Sequence, residues 1–141
     1  MGFLSAQDEQ AVKKEFERLG GPVTLTVFAS ELGSATNAQT VALVKEVAAL
    51  DDRISVSVLN PHIEREQARA YGVDVTPAVV VEGARDYGVR FLGLPAGYEF
   101  SNLIDAIVAT SSGEAALSAE TKTALAGLTA DVVIKVFTTP T

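Results

Sequence analysis

One proline stands directly before a run of valines and limits where that run can lie in a sheet. Pro77 precedes Ala78–Val81, whose composition predicts a buried strand. Proline has no backbone N–H to donate, so within a central strand it is tolerated only at the first position. Its preceding peptide bond adopts the cis form at modest cost. We therefore expect a strand that begins after a cis Thr76–Pro77 bond, with an ordinary trans turn proline as the alternative.

Hydrophobic periodicity places helices and strands around this proline in a defined order. In chain order we predict a helix from Ser5 to Leu19, a strand from Val23 to Ala29, a helix from near Ser34 to Leu50, a strand from Ile54 to Val58, a short helix from Ile63 to Tyr71 that ends at Gly72, strands Ala78–Val81 and Val89–Leu92, and a helix from Phe100 to Val108. This is β-α-β-α-β-β-α after an N-terminal helix. The order predicts an α/β fold with a central mixed four-stranded sheet and helices on both faces.

The two ends of the chain resemble each other. Leu4–Gln7 and Val23–Ser30 are similar to Leu117–Glu120 and Val132–Thr139. Chance similarity between capped helices and valine-rich strands is the alternative to a tandem duplication, which we favour because the order of the two elements also agrees. The predicted division is a first unit at 1–112 and the first helix and strand of a second unit at 113–141.

If the predicted strand of the second unit were left unpaired, its free backbone N–H and C=O groups could pair with another chain. We therefore expect Val132–Thr138 to pair with the sheet of the first unit or with a second copy of the chain, as in domain swapping.

Two segments resemble a known family. Tyr71–Val81, with its Tyr-Gly, tight loop and proline before a strand, resembles thioredoxins and glutaredoxins. Asp86–Phe100, with its Gly-x-Arg, Gly-x-Pro-Ala-Gly and Glu-Phe elements, narrows the resemblance to the two-domain, glutaredoxin-like protein disulfide oxidoreductases of thermophilic prokaryotes. The resemblance implies a thioredoxin-like fold, two such units in tandem and a role in cell redox homeostasis.

The cysteines that this family uses are absent. The first unit of the family carries Cys-x-x-Cys at the start of the helix after the first strand, where this chain has Ser34, Ala35, Thr36 and Asn37, and the chain contains no cysteine at all. Thiol-disulfide exchange requires a thiolate, so this degenerate site has no catalytic residue. We expect Ser34, Thr36 and Asn37 to serve in helix capping, with Ser34 or Thr36 as acceptors and Gln39 completing a capping box.

These observations predict a redox-inactive unit that acts as the structural or peptide-binding half of a larger disulfide oxidoreductase. The resemblance implies that the backbone of Thr76, beside Pro77, pairs with an extended peptide. Catalysis would belong to a second thioredoxin-like unit of the same protein, whose Cys-x-x-Cys would follow Thr141. This segment alone would then not be an enzyme.

Two other functions stay open. In a glutathione-binding or transferase-like enzyme, Ser34 would donate a hydrogen bond to the glutathione thiolate. In a pure oligomerisation module, the chain would form a homodimer and bind nothing small.

Composition excludes several further classes of function. The net charge is −7 and no basic stripe runs along the chain, so nucleic acid is not expected as a partner. Without cysteine, and with His62 as the one histidine, neither a metal site nor a cofactor is expected. Asp8 and Glu9 fall where a signal peptide would be apolar, and no apolar stretch could span a membrane, so we expect a cytoplasmic protein.

Overall fold

The structure is a computed structural model that describes residues 2–30, 32 and 34–139. Its elements are α1 Ala6–Phe16, β1 Val23–Phe28, α2 Ala35–Ala48, β2 Ile54–Leu59, α3 Arg65–Ala70, β3 Ala78–Glu82, β4 Asp86–Leu92, α4 Tyr98–Ser112 and α5 Ala119–Ala126. The predicted order is confirmed. The largest difference in a boundary is that α4 ends at Ser112 and not at Val108, and β4 begins at Asp86 and not at Val89.

The strands form one mixed sheet in the order β2-β1-β3-β4. β1 pairs in parallel with β2, and the crossover between these two strands is α2. β3 pairs antiparallel with β1 and with β4, so the second half of the sheet is a hairpin added to the parallel pair. The predicted mixed four-stranded sheet is therefore confirmed.

Alternate residues of the strands build a core on each face of the sheet. On one face Leu25 and Val27 of β1 pack with side chains of α1, α2 and α4, and this face holds the larger cluster. On the other face Phe28 packs with Val80 and with Ala68 of α3 in a smaller cluster. Helices therefore cover both faces, as the sequence predicts.

The C-terminal segment differs from the prediction. The expected helix is present as α5, but Val132–Thr138 forms no strand, and the side chains from 112 to 139 are exposed. An expected pairing of this segment with the first sheet is therefore wrong. A strand without a neighbour leaves its backbone N–H and C=O groups unpaired, so strand propensity alone does not form one. Pairing with a second copy, and the division into two units, stay predictions.

Candidate functional site

The four residues predicted to replace Cys-x-x-Cys, Ser34 to Asn37, lie where α2 begins. Ser34 is the N-cap residue and has extended backbone angles, but its side chain makes no capping hydrogen bond. The Asn37 N–H, which a capping hydroxyl would accept, donates instead to the Ser34 carbonyl at 3.0 Å. Thr36 already lies inside the helix, where its carbonyl accepts from the Thr40 hydroxyl at 2.8 Å. The predicted side-chain caps at Ser34 and at Thr36 with Gln39 are therefore wrong.

Asn37 has a role that the sequence did not indicate. Its side chain is 4% exposed. The Asn37 Oδ1 atom accepts a hydrogen bond from the backbone N–H of Ser30 at 3.0 Å. Asn37 therefore connects the residue after β1 to the first turn of α2. A polar residue in the first turn of a helix is more often interpreted as a helix cap.

A cavity of about 530 Å³ opens beside this turn. Its lining includes Ser30 after β1, Ser34, Ala35 and Asn37 at the start of α2, and Val58 of β2. The Ser34 side chain is exposed and makes no hydrogen bond with a described residue.

The second half of the candidate site is the loop before β3. The Thr76–Pro77 peptide bond is cis, the geometry that the sequence predicts. Pro77 is buried, and its carbonyl accepts from the Gly93 N–H at 2.8 Å. Thr76 is half-buried, and within the described part of the chain neither its N–H nor its carbonyl has a hydrogen-bonding partner.

Contacts around Tyr71 set the start of this loop. Gly72 ends α3 with φ of 66°, which is the left-handed conformation that the sequence predicts for it. The Tyr71 ring packs edge-on against Phe28 with centroids 5.8 Å apart. Its hydroxyl donates to Glu82 Oε2 at 3.0 Å. Burial, together with this carboxylate, raises the pKa of the Tyr71 hydroxyl, which stays a neutral donor at physiological pH.

Arg90 of β4 joins the loop to the edge of the sheet. Its Nε donates to the Tyr71 carbonyl at 3.1 Å. Its two terminal nitrogens donate to the Asp86 carboxylate at 2.9 and 2.6 Å. These charge-assisted hydrogen bonds lower the pKa of Asp86 to about 2.

The two halves of the site lie at the same end of the sheet. In the antiparallel register of β1 and β3, Phe28 pairs with Ala78. Ser30 and Thr76 each lie two residues beyond this last pair, past the same end of the sheet. Because Asn37 binds Ser30, the first turn of α2 is held at the end of the sheet where the cis-proline loop lies. The two halves nevertheless line separate cavities.

A smaller pocket of about 260 Å³ adjoins Thr76. His62, Arg65 and Arg69 contribute to its lining, and none of them was predicted as a site residue. The spacing of two arginines on one short helix was visible in the sequence. Their proximity to Thr76 depends on the fold.

The described residues contain neither a metal-binding group nor a membrane-spanning helix. Across 2–30, 32 and 34–139, no group of three or more histidine, aspartate or glutamate side chains is placed to hold a metal ion. None of the helices in these ranges is long and apolar enough to cross a membrane.

Comparison with known proteins places this geometry in context. No family model and no curated protein matches the sequence. The chain is similar in structure to the alkylhydroperoxide reductase protein AhpF of Enterococcus faecalis, with a TM-score of 0.82 and 24% identity over 89% of this chain and 61% of that one. It is also similar to a protein disulfide oxidoreductase of Aeropyrum pernix, with a TM-score of 0.76 and 25% identity over 88% of this chain and 55% of that one. Thioredoxin of Fasciola hepatica aligns with a TM-score of 0.51 and 18% identity over 72% of this chain and 92% of that one.

These neighbours confirm the thioredoxin-like fold and the resemblance to protein disulfide oxidoreductases that the sequence indicated. The chain spans 61% and 55% of the two longer neighbours. It lacks any cysteine with which to carry out thiol chemistry.

Proposed function

We propose that this chain is a redox-inactive thioredoxin-fold unit that binds extended peptides at its cis-proline loop within a larger disulfide oxidoreductase. The observation that carries the proposal is the backbone of Thr76, which bonds to no described residue and precedes Pro77, whose carbonyl accepts from the Gly93 N–H. A chain without cysteine has no use for that loop in disulfide exchange. Peptide binding is the part of the site's chemistry that needs only backbone groups.

Strand addition would give the unpaired backbone groups of Thr76 their partners. Backbone N–H and C=O groups buried away from water are almost always paired, and Thr76 is half-buried with neither group bonded to a described residue. Thr76 offers one of each, and an extended peptide would pair with both. The neighbouring Val75 is 47% exposed and adds an apolar side chain for the peptide to cover.

Catalysis, in this proposal, belongs to another part of the protein. The neighbours are longer than this chain, and their shares of 61% and 55% leave room in such a protein for a further unit. Reading the gene beyond Thr141 tests this part directly. A Cys-x-x-Cys motif shortly after Thr141 is expected, and a following sequence without cysteine would contradict it.

Titration of ¹⁵N-labelled protein with a peptide tests the binding proposal. The probe is the end-capped peptide Ser-Thr-Val-Thr-Gln-Thr-Val-Ser, which is extended and uncharged. We expect the amide resonances of Val75 and Thr76 to shift. The Thr76 amide should also exchange more slowly with solvent, since it gains a hydrogen bond.

Two substitutions separate backbone from side-chain recognition. Thr76→Val keeps the backbone and removes the hydroxyl, so binding should persist. Thr76→Pro removes the N–H that would donate to the peptide, so binding should weaken, with circular dichroism as the check that the variant folds. Unchanged Val75 and Thr76 resonances in the wild-type titration would contradict the proposal without recourse to any variant.

A second candidate is glutathione binding at Ser34. The observation that favours it is the Ser34 hydroxyl, which makes no hydrogen bond with a described residue and borders the 530 Å³ cavity. That volume lies within the usual range for small-molecule sites. Addition of glutathione should then raise the melting temperature of the wild type but not of Ser34→Ala. An unchanged wild-type melting temperature would remove this candidate.

A further inference from the structure

We infer that the pocket beside Thr76 accepts a carboxylate side chain of the bound peptide, so that the unit prefers acidic peptides. This inference rests on the proposed peptide binding and adds a substrate class to it. Its basis is the placement of two guanidinium groups next to the backbone of Thr76, which bonds to no described residue.

The charge around this pocket is opposite to that of the whole chain. The chain has a net charge of −7, whereas Arg65 and Arg69 line the pocket with Asp74 as its one carboxylate. Neither arginine forms an ion pair with any described residue. The Arg65 Nε donates to the His62 carbonyl at 3.1 Å, which orients this guanidinium.

The two arginines lie on one face of α3. Their spacing of i and i+4 puts like charges next to each other, an arrangement that destabilises a helix slightly. An incoming carboxylate would relieve this repulsion and accept hydrogen bonds from planar groups that suit it geometrically. An anionic ligand on this face would therefore offset the repulsion between the two arginines.

The size of the pocket favours a side chain over a whole ligand. At about 260 Å³ it lies below the usual range for small-molecule sites. Thr76 lines the same pocket, so a peptide paired with Thr76 would place a neighbouring side chain at its mouth. Acidic peptide is therefore the occupant that fits both the charge and the volume.

The test compares two end-capped peptides at fixed ionic strength. One is the neutral peptide Ser-Thr-Val-Thr-Gln-Thr-Val-Ser, and the other replaces its glutamine by glutamate. We expect wild-type protein to bind the glutamate peptide about tenfold more tightly, since each exposed ion pair contributes a few-fold. The preference should fall to about twofold or less in the double variant Arg65→Gln/Arg69→Gln, while binding of the neutral peptide stays unchanged.

Arg85→Gln is the matched control. Arg85 is an exposed arginine in the turn between β3 and β4, at the end of β3 away from Pro77, and its replacement changes the net charge in the same way as each pocket variant. It should leave the preference intact. If the double variant fails to fold, each single variant should still lose part of the preference.

The outcomes separate this inference from the proposed function. Equal binding of both peptides, with shifts at Thr76, would overturn the acidic preference and leave peptide binding standing. No binding of either peptide would overturn both. Acetate alone binding as tightly as the glutamate peptide would show a small-anion site and would also overturn the inference.

Discussion

Asn37 should stabilise the site through one hydrogen bond, and Asn37→Ala removes it. The Asn37 Oδ1 atom accepts the Ser30 N–H at 3.0 Å, and this bond is partly buried. The alanine variant leaves the Ser30 N–H without its acceptor at the point where β1 runs towards α2. No other described residue replaces that acceptor in the structure.

The expected loss of unfolding free energy is about 1.5 kcal/mol. An unsatisfied buried donor costs about 1 to 3 kcal/mol, and the partial burial of this one places it in the lower half of that range. Alanine has the higher helix propensity, which offsets the loss by about 0.5 kcal/mol. The Asn37 side chain is 4% exposed, and the packing that is lost with it cancels this gain from helix propensity. The melting temperature should fall by roughly 6 °C.

Urea unfolding followed by far-UV circular dichroism measures this change, because the chain has no tryptophan for fluorescence. Gln39→Ala is the matched control, since it removes an exposed amide side chain from the same helix. Its effect should stay within about 0.5 kcal/mol. Asn37→Asp keeps an acceptor in the first turn, where a carboxylate is favourable, and should retain most of the stability.

Hydrogen exchange of the Ser30 amide provides a local check. Its exchange should accelerate about tenfold in Asn37→Ala if the bond contributes the expected free energy. The reasoning would be refuted if Asn37→Ala unfolded with the same midpoint as Gln39→Ala and Ser30 exchange did not change.

Two further predictions concern the turn and edge of the β3–β4 hairpin. Gly83→Ala should lower the unfolding free energy measured in urea by about 2 to 3 kcal/mol, because the added Cβ would collide with the backbone carbonyl of Thr110. Gly127→Ala is the control: its Cβ would lie 3.4 Å from the nearest atom, so the unfolding free energy should change by less than about 0.5 kcal/mol. Hydrogen bonds from Arg90 lower the pKa of Asp86 to about 2. The folded state therefore binds fewer protons than the unfolded one between about pH 4 and 2. The stabilisation from this ion pair is present above about pH 4 and is lost as the pH falls towards 2. Asp86→Asn should therefore flatten the loss of unfolding free energy between pH 4 and 2 and cost about 1 kcal/mol at pH 7, a value reduced for a side chain that is 34% exposed.

The elements of the fold followed from the sequence because each carries its own pattern. Leu103, Ile104 and Ile107 of α4 repeat at helical spacing, and all three are buried in the larger core. Pro77 marked the start of β3, since a proline has few places in a sheet.

The details of the site did not follow, because they depend on contacts between segments. Ser34 has the residue type and the backbone angles of a helix cap, yet the Asn37 amide donates to its carbonyl and not to its hydroxyl. Asn37 looks like a capping residue in the sequence and is instead the acceptor for Ser30. Arg65 and Arg69 became candidates only when the fold brought α3 next to Thr76.

The C-terminal segment shows the limit of propensity. Val132–Thr138 is rich in valine and carries a phenylalanine, as β1 does, but of these two segments only β1 has a strand on each side. A strand is defined by its partners, which the pattern of one segment does not supply.

The central proposal is that Ser34 and Asn37 keep the geometry of a thioredoxin Cys-x-x-Cys site and lack only its thiols. The double variant Ser34→Cys/Asn37→Cys tests it most directly, with Asn37→Ala as the control for the lost bond to Ser30. The wild type should reduce insulin no faster than buffer, and the double variant should exceed it. The cysteine at position 34 should titrate below the free value of about 8.5, as a helix N-terminus requires, and should form a disulfide with the one at position 37. A thiol at position 34 that titrates normally and never pairs would contradict the claim.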